Sequence, residues 1–202
     1  MKSDLRHGSD TFRTVFLTVI IYCAVVIGFT VLAVLLGPRG AQIGTTRPTD
    51  TIPSHLAELA GAGLLLGLGS VIIYGRRELH LIILSPVLTV LLDLDHLPAY
   101  LGMSETIRPA HSLLFIPVVL AIMAITIKRL DIDLVVLSAT LAHMGIDTGL
   151  FAPFSPLSFH YIELDPYSVP FLAGAFLAAL AAGIALRHGG SKQDGVGGLS
   201  NE

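Results

Sequence analysis

Long apolar runs separated by short polar stretches dominate this chain. Six runs, counted with their polar ends, have helical length, and they cover residues 13–36, 56–75, 79–97, 111–128, 132–151 and 167–187. A helix needs about 17–25 mostly apolar residues to cross the hydrocarbon core of a bilayer. The pattern therefore predicts an all-α fold, a polytopic membrane bundle of about six transmembrane helices that form one domain over residues 1–187. The polar, Gly-rich residues 188–202 are predicted to be a disordered tail.

Composition supports the lipid bilayer as the main partner of the chain. Of the 202 residues, 53% are hydrophobic and 13% are charged, whereas about a quarter of the residues of a soluble domain are charged. The net charge of −3 gives no argument for nucleic acid. The first apolar run exceeds the roughly 7–15 residues of a signal-peptide core, so it predicts an anchor that stays.

The distribution of Lys and Arg predicts the orientation. If the six spans alternate in direction, nine basic residues fall on one side and three on the other. Cytoplasmic loops carry the excess of basic residues. Both termini are therefore predicted to be cytoplasmic, in a multi-pass protein of the plasma or inner membrane. The nine are Lys2, Arg6, Arg13, Arg76, Arg77, Lys128, Arg129, Arg187 and Lys192, and the three are Arg39, Arg47 and Arg108.

Histidines and acidic residues gather at the outer, non-cytoplasmic ends of the predicted helices. Such side chains are costly inside a membrane and usually mark function. Those on the outer side are His55, Glu58, Asp93, Asp95, His96, Arg108, His111, His143, Asp147, His160, Glu163 and Asp165. The alternatives without a functional site are polar helix ends in water and a structural His–Asp pair inside the bundle.

Two local spacings favour a shared cation. His143 and Asp147 are four residues apart, and Asp93 and His96 are three apart, so each pair shares one helix face. Imidazole nitrogens and carboxylate oxygens are typical ligands of Zn²⁺, and also of Mn²⁺ or Fe. The spacing predicts a divalent metal, with zinc as the first choice, that offsets the charge of the carboxylates.

Three further side chains are candidates for catalysis. On a regular helix, Asp95 would not share the face of Asp93 and His96. Pro98, however, disfavours helical geometry at the residue before it and loosens the last turn. A carboxylate outside the coordination sphere, either Asp95 or Glu58, is expected to take a proton from water. Glu58 is alternatively an interfacial glutamate. Arg108 is expected to balance charge on a phosphate group, or alternatively to contact a lipid headgroup.

Four segments of the chain resemble the YdjM-like inner-membrane proteins, a family described as membrane-bound metal-dependent hydrolases and distantly similar to zinc-dependent phospholipase C and P1 nuclease. They are "SHLAELAGAG" (54–63), "LDLDH" (92–96), "RPAHSLL" (108–114) and "AHMGIDTGLFAPFSP" (142–156). Leu92 stands where the family usually has Pro, and "IRPAHS" is shorter than its usual "HRGxTHS". The resemblance implies metal-binding or catalytic roles for His55, Asp93, Asp95, His96, His111, His143 and Asp147.

The expected function is hydrolysis of a phosphoester or lipid-like ester at the extracytoplasmic face. Its substrate is expected to be a lipid or another small molecule that reaches the headgroup level. Two alternatives stay open on the sequence alone. One is a metal-ion or proton-coupled transporter or ion-binding protein, and the other is a membrane protein without catalytic activity.

Overall fold

The fold is all-α, as predicted. The computed structural model describes residues 2–37, 52–74, 80–96, 108–147 and 150–196, with side chains over 11–37, 56–69, 80–96, 108–147, 152–164 and 166–185. These residues contain six α-helices, namely α1 (Lys2–Leu36), α2 (Ile52–Tyr74), α3 (His80–Leu91), α4 (Phe115–Thr126), α5 (Leu130–Ile146) and α6 (Ser168–Val196).

Short elements connect the helices at the ends where the polar residues lie. Within the described residues, 3₁₀ helices cover Leu92–His96, Pro109–His111 and Asp165–Tyr167. Strand β1 (Leu150–Phe151) pairs antiparallel with β2 (Ile162–Glu163), with Leu150 opposite Glu163. Two-residue strands are too short to leave a periodic pattern, so the sequence did not predict this ribbon.

The helix boundaries differ from the predicted ones mainly at polar ends. The α-helical part of α3 ends at Leu91 and α4 begins at Phe115, so both are shorter than the runs 79–97 and 111–128. Helix α6 instead continues to Val196, through most of the tail that is predicted to be disordered. The glycines there weaken a helix by about 1 kcal/mol each relative to alanine, which lowers its stability without breaking its backbone hydrogen bonds as proline would.

Helix α5 lies at the centre of the bundle. It packs against α2, α3, α4 and α6. Helix α1 packs against α3, against the 3₁₀ turn Leu92–His96 that follows α3, and against the 3₁₀ turn Pro109–His111 that comes before α4. The hydroxyl of the buried Tyr22 in α1 lies 3.0 Å from the hydroxyl of Thr140 in α5. Tyr22 and Phe29 both meet the ring of Phe115 edge-on. These contacts tie α1 to the core that carries the polar cluster.

Two glycines allow α2 to approach α3 closely. A Cβ atom added at Gly63 would lie 2.5 Å from the Cα of Pro86, and one at Gly67 would lie 2.8 Å from the carbonyl oxygen of Leu81. Gly63 and Gly67, spaced as a GxxxG pair, therefore serve helix packing. The contact at Gly67 lies at the first turn of α3, and the contact at Gly63 lies nearer its end, beside Thr89.

Two helices are long and apolar enough to cross a membrane. Among the described residues these stretches are Thr11–Leu36 and Ser168–Ala185, and only 28% of each is buried inside the protein. The apolar stretches Leu56–Gly69 and Phe115–Thr126 are shorter. Large apolar side chains such as Leu35 and Leu177 are exposed on the two long helices. Length and composition thus give two candidate spans here, where the sequence predicts about six.

Candidate metal site

Five of the predicted site residues come together at one end of α3 and α5. Among the described residues they form two groups in which one potential ligand atom from each residue lies within 4.8 Å of the others. The first group is Asp93, His96 and His111, and the second is His111, His143 and Asp147. His111 belongs to both, so the groups form one continuous cluster.

The 3₁₀ turn Leu92–His96 aligns the first two of these residues. A 3₁₀ helix has three residues per turn, so positions i and i+3 lie directly above one another. Asp93 and His96 have this spacing, and the Oδ1 of Asp93 lies 3.8 Å from the Nε2 of His96. The loosened last turn agrees with the sequence prediction, although Pro98, its predicted cause, lies outside the described residues.

Asp95 orients His111. Its Oδ2 accepts a hydrogen bond from the backbone N–H of Ala110 at 3.0 Å and lies 2.9 Å from the Nδ1 of His111. Because an aspartate accepts and does not donate, the hydrogen of the neutral imidazole lies on Nδ1. The lone pair of His111 is therefore on Nε2. The Oδ2 of Asp95 is thus engaged with the protein, and the role of Asp95 as a proton acceptor from water stays a prediction.

The carbonyl oxygen of Thr89 orients His143. It lies 2.6 Å from the Nδ1 of His143 and can only accept, so this ring also carries its hydrogen on Nδ1. Thr89 stands in the last turn of α3, where carbonyl groups have no α-helical N–H partner, and its carbonyl is thus available to a side chain. The lone pair of His143 is likewise on Nε2.

The lone pairs of the two Nε2 atoms point at each other, and two carboxylates lie beside them. The Nε2 atoms of His111 and His143 are 2.7 Å apart. The Oδ2 of Asp147 lies 3.1 Å from the first nitrogen, and the Oδ1 of Asp93 lies 3.5 Å from the second. Ligand atoms around a tetrahedral cation of the size of zinc stand about 3.3 Å apart. The spacing and chemistry of these atoms fit a metal ion, and the cluster can hold one.

Burial and charge favour the same interpretation. His111 and His143 are fully buried, and Asp93, Asp95 and Asp147 are buried with them. With neutral imidazoles, the three carboxylates and the guanidinium of Arg108 give the cluster a formal charge of −2. Uncompensated charge is costly in such surroundings. One divalent cation would bring this charge to zero.

Arg108 also lies in the cluster. Its Nε donates a hydrogen bond to the Nε2 of His96 at 3.0 Å, and its guanidinium forms an ion pair with Asp147. The side chain of Arg108 is 11% exposed, so it lies at the edge of the site. The sequence predicted the presence of Arg108 here but not its protein partners.

Other predicted site residues lie elsewhere. Glu58 is exposed on α2 and His160 is exposed in the loop before β2, and neither belongs to the two groups found among the described residues. The role of Glu58 as a catalytic base stays a prediction. Of His55, predicted to be a metal ligand, only the backbone in α2 is described, and its side chain lies outside the described residues.

Sequence reasoning missed the backbone groups that orient the histidines. The Thr89 carbonyl and the Ala110 N–H belong to residues whose side chains do no chemistry here. The only sequence signal for the first is that an α-helix has to end near Leu91, before the polar turn.

A comparison with family models finds no match, and comparisons with curated proteins and with solved structures find none either. The resemblance of the four segments stays a prediction. What the site can do therefore follows from its own side chains.

Proposed function

We propose that this chain is a membrane-embedded, metal-dependent hydrolase of the YdjM-like type that cleaves a phosphoester or lipid-like ester. One observation carries the proposal. Two buried histidines, each with its Nδ1 hydrogen engaged by an acceptor, direct both Nε2 lone pairs at one point beside two aspartates. Outer partners of this kind are typical of histidines that bind metal.

The alternatives to a metal at this point are less favourable. Two unprotonated nitrogens at 2.7 Å repel each other unless something lies between them or one carries a proton. A single proton would bring the formal charge of the cluster only from −2 to −1. A divalent cation accepts both lone pairs and offsets the charge of the aspartates.

The proposed roles follow from the contacts. His111, His143 and Asp147 hold the cation, for which Zn²⁺ is the first choice and Mn²⁺ or Fe are the others. When bound, a divalent cation polarises a phosphoryl or carbonyl oxygen and lowers the pKa of water. Asp93, whose Oδ1 lies 3.5 Å from the Nε2 of His143, takes the proton of the attacking water in place of Asp95.

The membrane placement rests on the apolar helices and on the basic residues. We propose six spans with both termini in the cytoplasm, because nine of the twelve basic residues then face that side. The site would lie at the outer end of the bundle, at headgroup depth. α3 and α4 are short for full spans, and their adjoining 3₁₀ turns would complete the crossing.

A lipid-like substrate is supported by the loop after Asp147. Phe154 and Leu157 are large apolar side chains exposed in this loop. The loop is held to the segment after His111, because the Pro153 carbonyl accepts a hydrogen bond from the Leu114 N–H at 3.3 Å. The site is thus connected to an apolar surface that an acyl chain can contact.

Metal content and hydrolysis measured on the same preparation test this function. The purified full chain is expected to contain at least one divalent cation and to cleave bis(p-nitrophenyl) phosphate, with loss of both after chelation. Asp147→Ala should lose the metal and the activity, whereas Asp93→Asn should keep the metal and lose the activity. Metal-dependent ion flux in proteoliposomes without any hydrolysis would contradict the enzyme and favour a transporter.

A further inference from the structure

Arg108 contacts two atoms of the cluster that could bind a metal. Its Nε donates to the Nε2 of His96, and its guanidinium pairs with Asp147. His96 belongs to the first group of potential ligands and Asp147 to the second, so one arginine spans both. Arg108 supplies one of the positive charges that offset the three carboxylates.

These contacts compete with metal binding. Asp147, one of the three proposed ligands, is paired with the guanidinium of Arg108. In the first group, the Nε2 of His96 has a single lone pair, so it cannot accept a hydrogen bond from Arg108 and bind a cation at once. The guanidinium is always charged in proteins and repels a dication at short range. The planar guanidinium, with several N–H donors, also matches its two acceptors, His96 and Asp147. The single ammonium of a lysine would match them less well.

We infer that Arg108 and a divalent metal compete for His96 and Asp147, so that the guanidinium leaves these two residues when the metal binds and then binds an anionic group of the substrate. This inference rests on the proposed metal site. Arg108 lies at the edge of the cluster with its side chain 11% exposed, so the outward side of the guanidinium is open to a ligand. Metal loading and substrate binding are thereby coupled through one side chain.

Metal affinity measured by titration calorimetry with Zn²⁺, on the full chain in detergent, tests the inference. Removal of the competitor in Arg108→Gln should tighten Zn²⁺ binding by about tenfold to a hundredfold. Arg108→Lys, which keeps the charge but not the planar guanidinium, should fall between this variant and the wild type. Arg129 supplies a matched control, since it pairs with Asp131 at the start of α5, and Arg129→Gln should leave the affinity unchanged.

Chemical modification of arginine gives a second readout. Phenylglyoxal should modify Arg108 slowly in the metal-free protein and several-fold faster after Zn²⁺ is added, while the modification of Arg129 should not respond to Zn²⁺. Unchanged or weaker Zn²⁺ binding in a folded Arg108→Gln variant, with stoichiometric Zn²⁺ in the wild type, would overturn the exchange and leave the proposed function standing. If the wild type, Arg108→Gln and Arg129→Gln all bind no divalent metal, the proposed function itself fails.

Discussion

His111 and His143 meet through their Nε2 atoms at 2.7 Å, although each ring has already donated its Nδ1 hydrogen to another group. The two rings stand 4.6 Å apart between centroids and are tilted by 67°. One histidine is placed by a 3₁₀ turn and the other by the last turn of α5. The direction of both lone pairs is thus set by the fold before any ligand arrives.

Loss of either ring should remove the metal. His143→Ala is expected to weaken binding by more than roughly a hundredfold, because loss of an outer partner alone costs about 10- to 100-fold. Elemental analysis of the purified variant measures the effect. His80→Ala, at the opposite end of α3, should retain the metal, and equal losses in the two variants would contradict this location.

Asp95 should act on the metal through His111. Asp95→Asn keeps a hydrogen-bond acceptor of the same size but removes the negative charge that makes the ring a stronger ligand. We expect metal affinity to fall by about 10- to 100-fold, without complete loss, in a calorimetric titration. Asp133→Asn, near the other end of α5, is the control and should leave the affinity unchanged.

The packing of α2 on α3 should influence the site. Gly63→Ala would push its new methyl group against Pro86 and the side chain of Thr89, whose carbonyl orients His143. Such overpacking costs about 1–3 kcal/mol, so thermal unfolding should occur at lower temperature and metal binding should weaken.

Gly61 on the same helix provides the matched control. A Cβ atom there meets nothing within 4 Å among the described residues, and alanine is the better helix former. Gly61→Ala should therefore leave metal binding unchanged and raise the stability by up to about 1 kcal/mol. Equal destabilisation by both substitutions would show that the close approach at Gly63 is not the cause.

The proposed orientation can be tested with cysteine labelling of intact cells. In a Cys23→Ser background, Leu157→Cys lies in the exposed loop near the site and should react with a membrane-impermeant maleimide. Lys128→Cys, exposed at the other end of α4, should react only after the cells are opened. The reverse pattern would place the termini outside, and reaction of both in intact cells would contradict a membrane-spanning bundle.

Chelation should lower the stability of the folded protein. A ligand that binds only the folded state stabilises it by about 4 kcal/mol at a thousand times its dissociation constant. The unfolding temperature of the metal-loaded protein should therefore rise with free Zn²⁺ and fall after treatment with a chelator. A temperature that is independent of Zn²⁺ would mean that the folded chain has no preference for the metal.

The sequence predicts the parts of this structure that depend on repeated patterns. Long apolar runs give the helices, and the i, i+3 spacing of Asp93 and His96 gives their common face. His143 and Asp147 are also brought together with His111, as the motifs imply. These residues carry their own chemical signal in their side chains.

The remaining features depend on contacts between distant segments, which a single sequence does not encode visibly. That Asp95 orients the ring of His111 becomes visible only in the fold, because the two residues lie 16 positions apart in the chain. Glu58 shares the acidic character of the site residues, yet its helix presents it to the exterior. The contact between Arg108 and His96 depends on the fold of the chain between them.

The position of His111 in both groups of potential ligands limits how the cluster can be filled. A single nitrogen lone pair serves one ion, so occupancy by a first cation leaves Asp93 and His96 as an incomplete pair. A second ion would bind with fewer ligands and against the charge of the first. The cluster should therefore fill in two unequal stages, with one tightly held ion and a second that exchanges readily with solvent.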